Sequence, residues 1–456
     1  MLNTPPARHV SPEKARDFRR TRQSSRHLAS RPLASRLLPS GRPASTPAGS
    51  GKRSGWGWGR ARLAALLLGS AGALLAGCAE HRAPGTIGYV QGFSGLVTAD
   101  EPRAVLVARD VLSSGGNAAD AAVALAFTLG VTYPVAAGIG SEGTCLAWNA
   151  KNNTVESLSF NPSAPGTAMT PALARGLYAL HARHGSLRWE GLLVPSENLA
   201  RFGFPVSRAL HARLAEMPPR SAGPSGSAYD ALRMAREGDT VRFPDLASTL
   251  GSLRQQGPGV LHRGPIAREV LAGYSATGHR LSQESLQDVL PAWAPSEGTK
   301  LGNGRLHALF GNGSPAASAG TTTFSVADRS GNAVACILSL GAPFGTGDVV
   351  PGRGFLIGAG GSVPGQALLL VNQNSKEFRA SASQADTGPA GALQSVVEAL
   401  DEGTPPADAI RDAAPPTGAS ARVNVLSCPE GIPPNPASCR AQADPRGSGY
   451  ALQSGL

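Results

Sequence analysis

The chain has 456 residues, 41% of them hydrophobic, enough for one large domain or two to three ordinary ones with a buried core. Its formal charge of +11 is uneven: residues 1–78 hold 14 Lys/Arg against 2 Asp/Glu, which leaves 28 basic and 29 acidic residues in the remainder. The body is therefore nearly neutral, which excludes a polyanion binder, and it carries no nucleic-acid signature.

Residues 1–60 are rich in Arg, Ser and Pro and read as a basic, disordered leader. Arg60 and Arg62 precede an apolar run, 63–75, which leads into Leu75-Ala76-Gly77-Cys78. Small residues ahead of a cysteine, after a short apolar run, resemble a bacterial lipoprotein signal over 61–78. That resemblance implies a lipidated Cys78 as the mature N-terminus, with the protein anchored in the bacterial cell envelope and facing the periplasm or the exterior. The run is short for a transmembrane span, and an uncleaved anchor is the other reading.

Residues 86–100 read as a strand and turn. An amphipathic helix is expected over 102–112, ended by Ser113-Ser114-Gly115-Gly116, and Asn117 caps an Ala-rich helix over 118–129. Gly115-Gly116-Asn117 is read as a cap and not as a phosphate loop, because no Walker lysine follows. Strands at 144–148 and 155–160 pair around Lys151-Asn152-Asn153. Residues 170–295 are mostly helical, and 301–320 form a linker rich in Gly, Ser and Ala. A hairpin covers 321–340, a strand 363–371, a helix 389–400 and a further strand 422–426. Mixed helices and strands predict α/β or α+β layers.

Among the five cysteines, Cys145 and Cys336 sit in apolar strand-like runs and are expected as buried thiols. Cys428 and Cys439 flank a Pro-rich loop and can close a small disulfide outside the cytoplasm. No spacing suggests zinc, the nine histidines are scattered, and no metal or cofactor is expected.

The chemistry concentrates at Gly320-Thr321-Thr322-Thr323-Phe324-Ser325-Val326. Breaking the bond before Thr321 would free an α-amine beside its own hydroxyl, placing nucleophile and base on one residue. Glycine at 320 tolerates the backbone such an attack needs. On its own, a threonine here equally fits an edge strand. With Arg329-Ser330-Gly331-Asn332 as the turn, Thr321 falls opposite Leu340, and a one-residue bulge would place Ser339 across from it.

An ordered set of motifs resembles the γ-glutamyltransferase family: Gly115-Gly116-Asn117-Ala118-Ala119-Asp120-Ala121-Ala122-Val123, Gly138-Ile139-Gly140, Phe202-Gly203-Phe204-Pro205-Val206, Pro244-Asp245-Leu246-Ala247, Gly264-Pro265-Ile266-Ala267, Thr321-Thr322-Thr323-Phe324-Ser325-Val326, Phe344-Gly345-Thr346-Gly347 and Ala443-Asp444-Pro445-Arg446. The resemblance covers 86 to about 450. It implies an α+β fold, the four-layer αββα sandwich of N-terminal nucleophile hydrolases. It also implies a precursor that cuts itself between Gly320 and Thr321 into large (79–320) and small (321–456) subunit regions. Thr321 would then attack a γ-glutamyl amide, and water or an acceptor amine would resolve the acyl-enzyme. By the same resemblance Ser339 supports the nucleophile, and Thr387-Gly388-Pro389-Ala390-Gly391 supplies oxyanion N–H groups from Ala390 and Gly391.

The pattern departs from the family around the substrate head group. Asn161 stands in the slot of a carboxylate-binding arginine, and a neutral amide cannot replace a bidentate, charge-assisted clamp. Gly341 stands where the family has an asparagine, Thr323 where it has a histidine, and Gly358-Ala359-Gly360-Gly361-Ser362 runs straight to Val363. Asn161 and Thr323 remain weak candidates for substrate contacts. Three functions are therefore carried forward: a self-processing amidohydrolase or transferase of γ-glutamyltransferase type, an acylase with an altered head group, and an uncleaved pseudoenzyme lipoprotein acting as a binding or scaffold module. The expected partner of the first two is a small-molecule amide.

Overall fold

The computed structural model describes residues 92–161, 167–217, 227–311, 319–360, 363–385, 391–413 and 422–454. Chain contacts group into Met1–His81 and Arg82–Leu456, and every described residue lies in the second unit.

The described fold begins with strand β1 (Gly95–Ala99), helix α1 (Pro102–Ser113) and helix α2 (Ala118–Thr132). Glu101 caps α1 by accepting the Ala104 N–H at 2.9 Å. Asn117 opens α2 with a capping box: its side chain accepts the Asp120 N–H, and Asp120 accepts the Asn117 N–H. α2 is buried on every side, as expected of a helix apolar all round. Strands β2 (Glu142–Asn149) and β3 (Thr154–Phe160) follow, and then a helical stretch. It comprises α3 (Leu173–His184), α4 (Trp189–Phe202), β4 (Phe204–Pro205), α5 (Arg208–Ala215), α6 (Ser227–Met234), β5 (Thr240–Val241), α7 (Pro244–Gln256), α8 (Pro265–Ala276) and α9 (Gln283–Asp288). Strands β6 (Ala292–Pro295), β7 (Thr299–Leu301) and β8 (Gly304–Phe310) lead to the hairpin β9 (Thr321–Asp328) and β10 (Ala333–Ser339). The remainder is β11 (Gln366–Asn372), β12 (Glu377–Gln384), α10 (Ala392–Asp401), α11 (Pro406–Asp412), β13 (Val423–Ile432), β14 (Arg440–Ala443) and β15 (Tyr450–Ser454).

Two antiparallel sheets form the centre. One has the order β15-β1-β9-β10-β2-β3-β6, the other β14-β13-β12-β11-β8-β7. Alternation along each strand sorts the side chains between faces. Leu96, Leu146, Ala335 and Ile337 meet Ala367, Leu369, Phe378 and Leu426 between the sheets. Val97, Ala147, Val334 and Leu338 instead pack outward against α1 to α4 and their neighbours. Leu368, Leu370 and Ala382 pack outward against Val396, Val397 and Leu400 of α10. The result is helices, sheet, sheet, helices: the expected four-layer αββα sandwich.

Residues 79–320 and 321–456 do not fold as separate domains. β9, β10 and β15 share one sheet with β1, β2, β3 and β6, and β1 lies between β15 and β9.

The structure corrects several sequence expectations. The linker 301–320 contains β8, which pairs with β11 in the second sheet. Its Gly-rich flanks hid a seven-residue strand. β12 was missed because Glu377, Arg379, Ser381 and Ser383 break an apolar signal, yet it lies in the middle of its sheet. Cys145 and Cys336 are not free thiols but a disulfide between paired residues of β2 and β10. The Cys428–Cys439 bridge is present. Finally, the β9–β10 turn is one residue tighter than expected. Ala327 pairs with Ala333, and the Asp328 N–H donates to the Asn332 carbonyl at 2.9 Å, so the loop is Arg329-Ser330-Gly331 with Gly331 at φ +82°. The Asp328 carboxylate drives this by accepting the N–H groups of Ser330 and Asn332.

Candidate active site

The tighter turn settles the register: Thr321 pairs directly with Ser339, and no bulge is needed. The two hydroxyl oxygens stand 2.8 Å apart and are buried. The Ser339 hydroxyl donates to the Gly320 carbonyl at 3.3 Å and accepts the Gly341 N–H at 2.9 Å. The Leu340 N–H donates to the same Gly320 carbonyl at 2.9 Å. The Gly320 carbonyl thus meets two donors beside a paired hydroxyl.

Glycine is required at two positions here. A Cβ on Gly320 would lie 2.2 Å from the carbonyl carbon and oxygen of Ala342, so only glycine lets the two strands approach. Gly341 has φ +77°, and a Cβ there would lie 1.7 Å from the Ala359 carbonyl oxygen. No side chain fits at 341 without moving that loop.

A cavity of about 120 Å³ opens at Thr321. Asp100, Tyr133, Arg213, Glu216, Arg422, Asn424, Asp444 and Arg446 contribute its polar lining. Arg213, from α5, donates to the Ala319 carbonyl at 2.6 Å and to Glu216 at 2.7 Å. Glu216 also accepts from Arg422 at 3.2 Å. Arg446 grips Asp444 through two bonds of 2.9 and 2.6 Å. Burial alone would raise the Asp444 carboxyl, but the Arg446 guanidinium and the N–H groups of Arg446 and Val423 outweigh it and hold it below the ordinary value.

Asp100 lies under the threonine cluster. It accepts from the Thr322 hydroxyl at 2.7 Å and from Asn424 Nδ2 at 2.9 Å. Burial pushes its carboxyl above the usual range, and those hydrogen bonds oppose the shift without cancelling it. Burial, with the Asp100 charge second, likewise raises the Tyr133 phenol. Asn424 of β13 joins the two sheets, accepting the Thr98 hydroxyl at 3.0 Å and donating to the Thr323 carbonyl at 3.2 Å.

Two sequence candidates lie elsewhere. Thr323 is fully buried and its hydroxyl accepts from Asn424 at 3.3 Å, so it serves the inter-sheet network and does not line the cavity. Asn161 follows β3, accepts the Ser159 hydroxyl and does not line the cavity either. Gly391 is the left-handed residue that opens α10. Ala390, its expected oxyanion partner, and Cys78 with the expected signal segment 61–78 lie outside the described residues. Sequence reading missed Asp100, Arg213, Arg422 and Asn424, none of which carries a spacing signal. Asp444 and Arg446 were noticed only as part of a motif.

A family model described as gamma-glutamyltranspeptidase matches residues 104–172, 167–316 and 305–364, more than half of the chain. The chain belongs to the γ-glutamyltranspeptidase family. The matched span carries Thr321, Ser339 and Gly341 of the site but stops short of Asn424, Asp444 and Arg446. Curated relatives include glutathione hydrolase 3 of Arabidopsis thaliana, 28% identical over 44% of this chain and 36% of that protein. Glutathione hydrolase proenzyme 2 of Schizosaccharomyces pombe is 32% identical over 40% of this chain and 33% of its own. The glutathione hydrolase proenzyme of Bacillus subtilis is 27% identical over 46% and 41%. The chain thus spans roughly a third to two fifths of the curated relatives it matches. Among solved structures, the cephalosporin acylase of Bacillus halodurans superposes with a TM-score of 0.65 at 18% identity, over 82% of this chain and 98% of that one. The fold is that of the N-terminal nucleophile hydrolases.

Among the described residues no cluster of His, Cys, Asp and Glu could hold a metal ion, and no helix is long and apolar enough to cross a membrane.

Proposed function

We propose that this chain is a self-processing N-terminal threonine hydrolase or transferase that cleaves small-molecule amides through an acyl-enzyme. The observation that carries this reading is the Thr321–Ser339 hydroxyl pair at 2.8 Å beside a Gly320 carbonyl that already accepts from Leu340 and Ser339. In the first step Thr321 Oγ1 attacks the Gly320 carbonyl carbon and its proton passes toward Ser339. The C–N bond breaks, the nitrogen takes a proton and becomes the Thr321 α-amine, and an ester joins Gly320 to Thr321 Oγ1. Water hydrolyses that ester, leaving a Gly320 carboxylate and a free N-terminal threonine. In turnover the freed amine takes the Thr321 hydroxyl proton as the oxygen attacks a substrate amide. The leaving amine departs protonated, and water or an acceptor amine releases the acyl group.

The substrate reading departs from a γ-glutamyl head group. Asn161 is neutral, is engaged by Ser159 and is absent from the cavity wall, while a side chain at 341 is excluded by the Ala359 carbonyl. These observations favour an acylase acting on amides whose acyl part lacks a free α-amino acid head. The deciding experiment is intact-mass and gel analysis of the purified chain beside Thr321→Ala, followed by a panel of amides with and without that head. Two fragments in the parent, the smaller beginning at Thr321, together with an uncut mutant support the nucleophile. A parent that never cuts sinks it and leaves the pseudoenzyme reading. Envelope anchoring through Cys78 belongs to the same proposal. The two disulfides, which suit an oxidising compartment, support it.

A further inference from the structure

Cys145 and Cys336 are paired residues on neighbouring antiparallel strands, with Cα atoms 4.1 Å apart, and both are fully buried. This is the short approach of a non-hydrogen-bonded pair, which brings the two Cβ atoms close enough for their sulfurs to bond. Cys145 precedes Gly320 in the chain and Cys336 follows it. We propose that the Cys145–Cys336 disulfide is a covalent tether across the self-cleavage point, so that the cut protein remains one molecule. This rests on the proposed cut at Gly320–Thr321.

The connectivity makes the case. Cys428 and Cys439 are both in the small-subunit region, so their bridge joins nothing across the cut. Among the described residues, Cys145–Cys336 is the one disulfide that spans residue 320. Before cleavage it closes a loop with a sequence separation of 191. Opening one peptide bond inside that loop converts a ring into two chains held by sulfur.

The position also matters to the site. Cys336 pairs with Cys145 on one side and with Phe324 of β9 on the other, three positions along the ladder from the Thr321–Ser339 pair. Cleavage makes Thr321 a chain end, the place where a strand frays most readily. A covalent bond from β10 to β2 holds the hairpin that carries both hydroxyls. The fragments also share strand pairing, since β1 and β2 flank that hairpin. Strand pairing alone would leave a two-chain assembly whose stability depends on concentration, whereas a tethered pair unfolds and refolds as one molecule. The sulfurs lie among Ala147, Val334 and Leu338 on the helix-facing side of the sheet, out of reach of a reductant until the sheet opens.

The test uses the full chain, secreted into an oxidising compartment and treated with a thiol-alkylating agent before denaturation. The tether predicts one full-length band without reductant and two fragments with it. The variant carrying Cys145→Ala and Cys336→Ala should give two fragments in both lanes and a melting midpoint that falls on dilution, while the parent midpoint does not move. Two fragments from the alkylated parent without reductant would overturn the tether while leaving the cleavage reading intact. A parent uncut in both lanes overturns the cleavage reading and the tether with it. Peptide mapping of Thr321→Ala reads the bridge independently of the cut, and alkylated Cys145 and Cys336 there overturn the tether on its own. If the double variant does not fold, the two lanes of the parent still decide.

Discussion

Replacing Ser339 by alanine tests the core of the proposed chemistry. A hydroxyl has one proton to donate and two lone pairs to accept with. At Ser339 that capacity suits an arrangement in which Thr321 and Gly341 donate to it and it donates to the Gly320 carbonyl. In this arrangement one side chain receives the nucleophile's proton and polarises the carbonyl under attack. Loss of one donor to a developing oxyanion costs roughly 10²–10³ in rate, about 2.7–4 kcal/mol. The ground-state bond is long at 3.3 Å, and the Leu340 N–H remains at 2.9 Å, so the donor loss alone belongs at the lower end. The lost proton acceptor adds roughly another 10² at least, for an overall slowing on the order of 10⁴. The variant also strips the Gly341 N–H of this acceptor, costing about 1–3 kcal/mol of stability, which a melting curve reads separately. The assay is the time course by which intact mass resolves the fragment beginning at Thr321. Ser339→Thr keeps the hydroxyl and should restore most of the rate. Cleavage of Ser339→Ala at the parent rate would refute the reasoning. So would equal slowing in both variants, because shape rather than the hydroxyl would then matter.

Arg213→Ala removes a charged hydrogen bond to the Ala319 carbonyl, one residue upstream of the scissile unit, and should slow self-cleavage about tenfold, with partial recovery in Arg213→Lys; unchanged precursor decay would remove Arg213 from the positioning of that segment. His262 gives a pH prediction. Burial, with the Arg175 charge adding to it, lowers its imidazole to about 4, and Nε2 has no partner among the described residues. The unfolded chain takes up this proton near pH 6.5 and the folded one only near pH 4, so stability contributed by neutral His262 is present above 6.5 and is lost as pH falls between those values. His262→Asn keeps a donor for the Leu286 carbonyl and should flatten that part of the melting-temperature profile; an unchanged slope would assign the acid sensitivity elsewhere.

Much of the site was legible because it is local. Thr321, Gly320 and Ser339 sit on one hairpin, and counting residues across a turn brings hydroxyl near hydroxyl. The count was one residue off because what separates four loop residues from three is a pair of Asx-type bonds, from the Ser330 and Asn332 N–H groups to the Asp328 carboxylate, which composition does not reveal. The helix caps at Glu101 and Asn117 are similarly local, although only Asn117 was read as one.

The sequence by itself determined the elements that depend on near neighbours: the caps, the hairpin, the Gly-Thr junction and the absence of a charged side chain at 161 and 341. Tertiary structure alone decided what depends on sheet pairing and stacking. Cys145 and Cys336 each look like small core hydrophobes, and only the β2–β10 register makes them partners. Arg213 reads as the polar face of a short helix, Asp100 as a turn residue and Asn424 as a break in a strand, yet one cavity gathers all three around Thr321. The physical reason is that periodicity reports which face of an element is buried, not which distant element covers it. Polar groups brought together across 200 or more residues carry no spacing for a reader to count.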